Sequence, residues 1–295
     1  MKSSIFKVIF YIISLFYFCS CVTPVSVPNI SKEQNIKEDN QLKILSWNIK
    51  MLPAPYGWLL KPYQRSDNII QSLNETIEYD IIFFQEAFLG SARSKIYKTI
   101  QNTYPYQIEP NNRNAFYKSN SGLWVVSRLP IILIDEISFT QLRESDILAS
   151  KGAKLYSVCK NQQKFHLINT HMQSDYGKEY SDIRSSQYSE IYKNLILPNE
   201  KSKVTLILCG DLNISQPVKL KEMLKKLKLN NGPLFGKLQH STLGNNKHLL
   251  DYILVREDHL KFKSIKRRII DFSNKIKEKD FNPSDHYPVE AIFRW

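Results

Sequence analysis

At 295 residues the chain is long enough for one large domain or two small ones, and a domain of about 250 residues buries well over ~65% of the surface its unfolded chain exposes, so it needs no staples. Four cysteines exclude a disulfide framework at this size, and no Cys/His cluster has the spacing of a zinc site. The formal charge of +13 favours anionic partners, nucleic acid or an acidic phospholipid surface, without choosing between them.

Residues 1–21 read as an export signal. Lys2 and Lys7 give a positive start, and Val8 to Phe18 form an apolar run broken only by Ser14. At ~1.5 Å per residue that run reaches ~17 Å, too short for a hydrocarbon core of ~30 Å. Phe18-Cys19-Ser20-Cys21 then resembles a bacterial lipobox, with Cys21 the residue to be acylated and plain secretory cleavage the alternative. Attachment through more than one acyl chain would hold the protein stably on a membrane. Residues 22–40, with Pro24, Pro28 and the polar stretch Ser31 to Asn35, read as a flexible tether. Loss of the leader removes two lysines and no acids, so +13 − 2 leaves +11.

Residues 41–295 contain no second linker, long repeat or low-complexity tract, and read as one domain. Apolar runs rich in β-branched and aromatic residues mark strands in chain order. Leu42 to Trp47 ends at Asn48, Ile81 to Phe84 at Gln85-Glu86, and Phe165 to Ile168 leads to His171. Val204 to Leu208 runs through Cys209 into Gly210-Asp211-Leu212-Asn213, Tyr252 to Val255 follows Asp251, and Ser284-Asp285-His286 precedes a last apolar run. Helical patterns fall between them. Gln64 to Tyr79 places Ile69, Ile70, Leu73 and Ile77 on one face, and Asp182 to Leu197 does the same with Ile183, Tyr188, Ile191 and Leu195. Strands outnumber helices and alternate with them irregularly, so the fold class is α/β, a sheet core covered by helices. Cys159 and Cys209 lie in strand-like runs and are expected to be buried thiols. Two basic clusters, Lys219, Lys221, Lys225, Lys226, Lys228 and Lys261, Lys263, Lys266, Arg267, Arg268, read either as a solvated helix face and an exposed strand edge or as a binding patch.

The polar residues at the strand ends carry the chemistry, because groups just past strand ends can converge on one rim of a sheet. Asn48, Glu86, Asp211, Asn213 and Asp285 are hard oxygen donors that suit magnesium better than zinc or copper. His171 and His286 can titrate near neutral pH, and Asp251 can hold one imidazole in its working tautomer. No serine or cysteine nucleophile motif stands out, which leaves water as the attacker. A metal, two histidines and oriented acids together suit phosphoester hydrolysis. Singly, each residue has a plainer role: turn caps at Asn48 and Asp285, a surface acid at Glu86, an Asx-turn at Asp211-Leu212-Asn213, a structural hydrogen bond for His171. Turn chemistry gives no reason for their recurrence at the ends of so many buried runs. His166, His240, His248 and His259 lack such company and are left structural.

The ordered series Trp47-Asn48, Gln85-Glu86, Thr170-His171, Gly210-Asp211-Leu212-Asn213, Leu250-Asp251-Tyr252 and Ser284-Asp285-His286 resembles the endonuclease/exonuclease/phosphatase superfamily across residues 41–295. The resemblance implies a four-layer α/β sandwich of two packed mixed β-sheets flanked by helices. It also implies a magnesium-dependent phosphodiesterase, with manganese or cobalt as alternative cations. Within the superfamily, Asn48 to Pro53, Gln64 to Asp67, Lys151-Gly152, His171-Met172-Gln173, Ile183 to Gln187 with Glu190-Ile191, and Ser284 to Ala291 are similar to the bacterial neutral sphingomyelinases. Those are phospholipase C-type enzymes that cleave sphingomyelin to ceramide and phosphocholine.

Carried over by position, the resemblance implies Glu86 as principal magnesium ligand, Asn48 beside it and Asp285 supporting the metal. Asp211 and Asn213 would orient water and phosphate. His286 would be the general base, set by Asp251, and His171 would stabilise the pentacoordinate phosphate or assist the leaving group. The family's aromatic-rich hairpin corresponds to Ile265 to Asn282, short and basic here with Phe272 and Phe281 its only aromatics, and the family's disulfide has no counterpart in Cys159 and Cys209. A phospholipid surface and sphingomyelin are the expected partners, a lipid anchor taking the hairpin's place, with no obligate protein partner. The rivals are an exported nuclease on the same scaffold, acting on nucleic acid, and a catalytically silent, membrane-tethered binding protein.

Overall fold

The computed structural model describes residues 40–53, 56–74, 79–110, 118–175, 177–239, 242–244, 248–272 and 282–295. The expected export signal and tether, Ile77 and residues 273–281 lie outside the described residues. No helix among the described residues is long and apolar enough to cross a membrane.

The apolar runs become strands β1 (Gln41–Met51), β2 (Ile81–Ala87), β3 (Tyr106–Ile108), β4 (Trp124–Ser127), β5 (Ile131–Ser138), β6 (Gly152–Lys160), β7 (Gln163–His171), β8 (Thr205–Asp211), β9 (Asp251–Val255), β10 (Ser264–Ile269) and β11 (Val289–Arg294). They form a six-stranded sheet, β10-β11-β1-β2-β4-β3, and a five-stranded sheet, β5-β6-β7-β8-β9. Each sheet is mixed: β1 and β2 pair in parallel, as do β7 and β8, and the remaining pairs are antiparallel.

Side chains alternate faces along a strand, and here both faces are apolar, so each sheet must be covered twice. Leu42, Ile44, Ile81 and Phe83 of the first sheet meet Phe165, Leu167, Ile207 and Cys209 of the second. On the outer face of the first sheet, Leu45, Trp47, Ile82 and Phe84 pack on Ile69 of α1 (Pro62–Asn74) and on Ala92 and Ile96 of α2 (Gly90–Ile100). On the outer face of the second, Ile168, Leu206 and Leu208 pack on Tyr188 and Ile191 of α3 (Lys178–Ile191) and on Met223 and Leu227 of α4 (Pro217–Leu227). Two sheets and two helical faces make the four-layer sandwich, and each large side chain so covered contributes roughly 1.5–3 kcal/mol.

Helix ends differ from the periodicity for local reasons. α1 begins at Pro62, because proline suits the first helical position. α3 starts at Lys178 after Gly177 and stops at Ile191, where a π-helical turn, Tyr192–Ile196, and a 3-10 turn, Leu197–Ser202, follow. Pro198 has no N–H with which to continue the ladder.

Two expectations about side chains are corrected. Cys209 is buried, but Cys159 is exposed, being one residue from the end of β6 beside the turn at Asn161-Gln162; both thiols are free. The second basic cluster is not a uniformly exposed edge. Lys266 and Arg268 point outward on β10, whereas Arg267 between them is buried, as two-residue alternation requires. The lysines of α4 lie on its solvated side as expected.

This topology sets the site. The parallel pairs carry the carboxyl ends of β1, β2, β7 and β8 to one rim. β9 runs antiparallel with Asp251 in register with Asp211, and the segment before β11, antiparallel to β1, returns to the same rim.

Candidate active site

The pairing of β1 with β2 slips in register between Asn48 and Met51, and a bulge of this kind re-aims side chains. Lys50 and Glu86 sit at φ 47° and 52°, and Asn213 at 51°. Left-handed backbone at a non-glycine residue costs about 1–3 kcal/mol and persists where surrounding contacts impose it. Here those contacts are polar. The Asn48 Nδ2 amide donates to Glu86 Oε1 at 2.9 Å and to Asp211 Oδ2 at 3.0 Å, and its Oδ1 accepts the Lys50 backbone N–H at 3.1 Å. Asp211 Oδ1 accepts the Asn213 N–H at 3.1 Å, and Asn213 Nδ2 donates to the Met172 carbonyl at 3.2 Å. Gly210 is needed beside them. Its φ is 148°, and a Cβ there would lie 1.9 Å from the Thr170 carbonyl of β7.

The segment before β11 is fastened to β1. Ser284 Oγ donates to the Asn48 carbonyl at 2.7 Å, the Trp47 indole to the His286 carbonyl at 2.9 Å, and Arg65 from α1 to the Pro283 carbonyl at 2.9 Å. His286 Nδ1 thereby meets Asp251 Oδ2 at 2.8 Å, while Nε2 faces Asp211 Oδ2 at 3.8 Å. Asp251 is held in turn by its own and the Leu250 N–H, which both donate to Thr242 Oγ1. Burial works against the imidazolium, but Asp251 and then Asp211 outweigh it and raise the His286 pKa to about 10. Burial, then the Asp251 charge, pushes the Asp211 carboxyl up.

His171, at the end of β7, lies 3.6 Å from Asp211 Oδ2 and 3.9 Å from Glu86 Oε1. Lys151 Nζ is 3.0 Å from its Nε2, and an ammonium can only donate, so Nε2 accepts and the ring proton sits on Nδ1. Burial, then the Lys151 charge and His286, hold the His171 pKa well below its usual value, so the ring is neutral.

Seven of the eight expected residues, Asn48, Glu86, His171, Asp211, Asn213, Asp251 and His286, therefore share one polar cluster. Asp285 is beside it, and its carboxylate is drawn to Lys50 Nζ at 2.6 Å. Burial opposes ionisation there, but His286 and the Lys50 hydrogen bond keep the Asp285 carboxyl below its usual value.

Asp211, Asp251 and His286 each place one ligand atom within 4.8 Å of the others. Asp251 Oδ2 and His286 Nδ1 are already committed to each other, so the trio is better read as an acid–imidazole pair with a neighbouring acid. On the Glu86 side the Asn48 amide lies between the Glu86 and Asp211 carboxylates, so hard oxygen donors of the kind magnesium takes converge there.

Several supporting residues were given no role from the sequence. Lys151, which falls in one of the segments similar to the sphingomyelinases, forms a buried ion pair with Asp146 at 2.8 Å. Gln85 Nε2 donates across the sheets to Asn169 Oδ1 at 2.7 Å, and each precedes a site residue by one or two positions. Polar residues just short of a buried strand end were the available clue for that pair. Arg65 also falls in a similar segment, whereas Thr242 had no such clue.

A model of the endonuclease/exonuclease/phosphatase family matches residues 45–286. The chain belongs to this family. It is similar to phospholipase C of Staphylococcus aureus, 28% identical over 301 aligned residues that cover 89% of this chain and 90% of that protein. Sphingomyelinase C of Bacillus cereus is 23% identical over 309 residues, covering 89% and 92%. Among solved structures, a beta toxin mutant from Staphylococcus aureus with bound magnesium ions matches with a TM-score of 0.71 and 25% identity, over 86% of this chain and 99% of that one.

Proposed function

We propose that the chain is a magnesium-dependent phosphodiesterase that hydrolyses sphingomyelin to ceramide and phosphocholine. The observation that carries the reading is the convergence of Glu86, Asn48 and Asp211 beside the His286–Asp251 pair, in a family member whose relatives include a phospholipase C and a sphingomyelinase C.

Glu86 and Asn48 would hold the cation, with Asp285 supporting that side of the site through Lys50. When bound, magnesium supplies charge stabilisation to the phosphoryl oxygens, and manganese or cobalt is an alternative. With a cation opposing its charge, the neutral His286 ring would take the proton of the attacking water on Nε2, while Asp251 accepts the Nδ1–H hydrogen bond and fixes the tautomer. Asp211 and Asn213 orient that water and the phosphate. The water oxygen bonds to phosphorus, the bond from phosphorus to the ceramide oxygen breaks, and that oxygen takes a proton from solvent while His286 releases to solvent the one it accepted. His171 is neutral and already accepts from Lys151, so it is poorly placed as a proton source. Its role would be to sit between the phosphate and Lys151, whose buried charge adds positive potential towards the pentacoordinate phosphate without a direct hydrogen bond.

The domain is exported and held at a membrane through acylated Cys21 and the tether of residues 22–40; the support for this is the leader sequence alone. A panel of sphingomyelin, phosphatidylcholine and plasmid DNA, each with and without chelator, tests the whole reading. Chelator-sensitive release of phosphocholine from sphingomyelin is expected. Cleavage of plasmid alone would transfer the site to the nuclease rival, and inertness towards all three would leave a binding protein.

A further inference from the structure

A cavity of about 330 Å³ shares Asp251 with the active site but none of its other residues. That volume is at the lower end of small-molecule pockets, about 300–1,000 Å³. It lies between β9, β10 and the segment from Asn231 to Gln239, with Leu234, Leu249 and Val289 among its apolar walls.

Two side chains on its lining have polar atoms without a protein partner. Arg267 is only 4% exposed. Its Nε donates to the Ile253 carbonyl at 2.7 Å, and its guanidinium lies 5.9 Å from the Phe293 ring. The Glu257 charge acts on it without forming an ion pair, and among the described residues Nη1 and Nη2 have no acceptor. A largely buried guanidinium held by one direct hydrogen bond keeps donors to spare, and its planar fork matches a carboxylate or phosphate with two parallel hydrogen bonds. The second group is Asp251 Oδ1, buried and unbonded while Oδ2 serves His286. A carboxylate oxygen can only accept, so a donor on a bound molecule would satisfy it.

We propose that this cavity binds a small hydroxylated organic anion, its phosphate or carboxylate on Arg267 and its hydroxyl towards Asp251. The site needs no metal, and Asp251 is the one residue it shares with the hydrolytic cluster. Gly232 makes room for it: a Cβ at that position would lie 2.3 Å from Arg267 Nη1, so a methyl there displaces the guanidinium.

Calorimetric titration of the metal-stripped protein with glycerol 3-phosphate and with glycolate tests this and separates the two anion types. Methyl phosphate and acetate serve as the partners without a hydroxyl. Wild type and Glu86→Ala should bind alike, whereas Arg267→Met and Gly232→Ala should bind about tenfold more weakly or worse, the loss expected for a hydrogen bond to a charged group. Removing the hydroxyl should weaken binding as well. Gly232→Ala keeps the arginine and therefore decides the matter if Arg267→Met does not fold. Absence of binding by both anions, unchanged affinity in Gly232→Ala, loss of binding in Glu86→Ala, or equal affinity for glycerol 3-phosphate and methyl phosphate would overturn the proposal.

Discussion

Lys151 offers the sharpest stability test, because it joins the fold to the chemistry. It is 3% exposed, and its ammonium is shared between Asp146 at 2.8 Å, His171 at 3.0 Å and the Met172 carbonyl at 3.2 Å. Lys151→Met keeps much of the stem but strands the Asp146 carboxylate in the interior. Removing one member of a buried ion pair costs about 3–5 kcal/mol. Asp146 still accepts from the Ser174 N–H and hydroxyl at 2.8 and 3.0 Å, which places the cost near the lower end, about 3 kcal/mol. At about 2–4 °C per kcal/mol for a domain of this size, the melting temperature should fall by roughly 6–12 °C. Adding Asp146→Asn removes the stranded charge while keeping an acceptor for Ser174, so the double variant should regain more than half of the loss. Scanning calorimetry and urea unfolding of the metal-stripped proteins measure both. A loss below about 1 kcal/mol, within the ordinary range of a surface ion pair, would refute the reasoning, as would a double variant no more stable than the single.

Asp251→Asn should lower kcat by about 10²–10⁴, the usual worth of oriented acid–base catalysis, with little change in KM. Steady-state kinetics on sphingomyelin micelles checks it, and a loss under threefold or so would remove Asp251 from the machinery. Gly210→Ala should destabilise by more than the about 1–3 kcal/mol of backbone strain, because its methyl overlaps the Thr170 carbonyl; urea midpoints measure this. His286 has a clear pH signature in the metal-free protein. Its folded pKa of about 10 exceeds the reference 6.5, so its stabilising contribution is complete below 6.5 and is lost as pH rises through 10. Imidazole NMR shifts should show the ring still protonated at about pH 8, and magnesium should lower that midpoint by opposing the same charge.

Much of the site was readable because strand ends are readable. Asn48, Glu86, His171 and Asp211 each close an apolar run, and parallel pairing brings those ends together. Asp251 begins a strand instead of ending one, yet its antiparallel partner is Asp211, so it reaches the same rim. Partners chosen by tertiary geometry were not readable. Lys151 stood in a segment similar to the sphingomyelinases but with no role attached, and only the fold brings Asp146 and His171 to its ammonium. Arg267 stood in a run of basic residues, and its inward direction follows from register, which the run itself does not reveal. Cys159 looked as apolar in context as Cys209 until its place beside a hairpin turn was known. Apolar runs located β1, β2, β7, β8, β9 and β11, whereas β3, β4 and β5 were not singled out, and the bulge at Lys50 and the left-handed backbone at Glu86 have no composition signal at all.

In the proposed reaction, Glu86 and its neighbours gather a cation that drives phosphodiester hydrolysis. Phosphocholine release from sphingomyelin vesicles, followed as magnesium is restored to metal-stripped wild type and to Glu86→Ala, tests it most directly. Wild type should be silent in chelator and recover fully with magnesium, while Glu86→Ala should stay lower by about two orders of magnitude or more at the same magnesium concentration. Equal release by the two proteins, or release that persists in chelator, would contradict it.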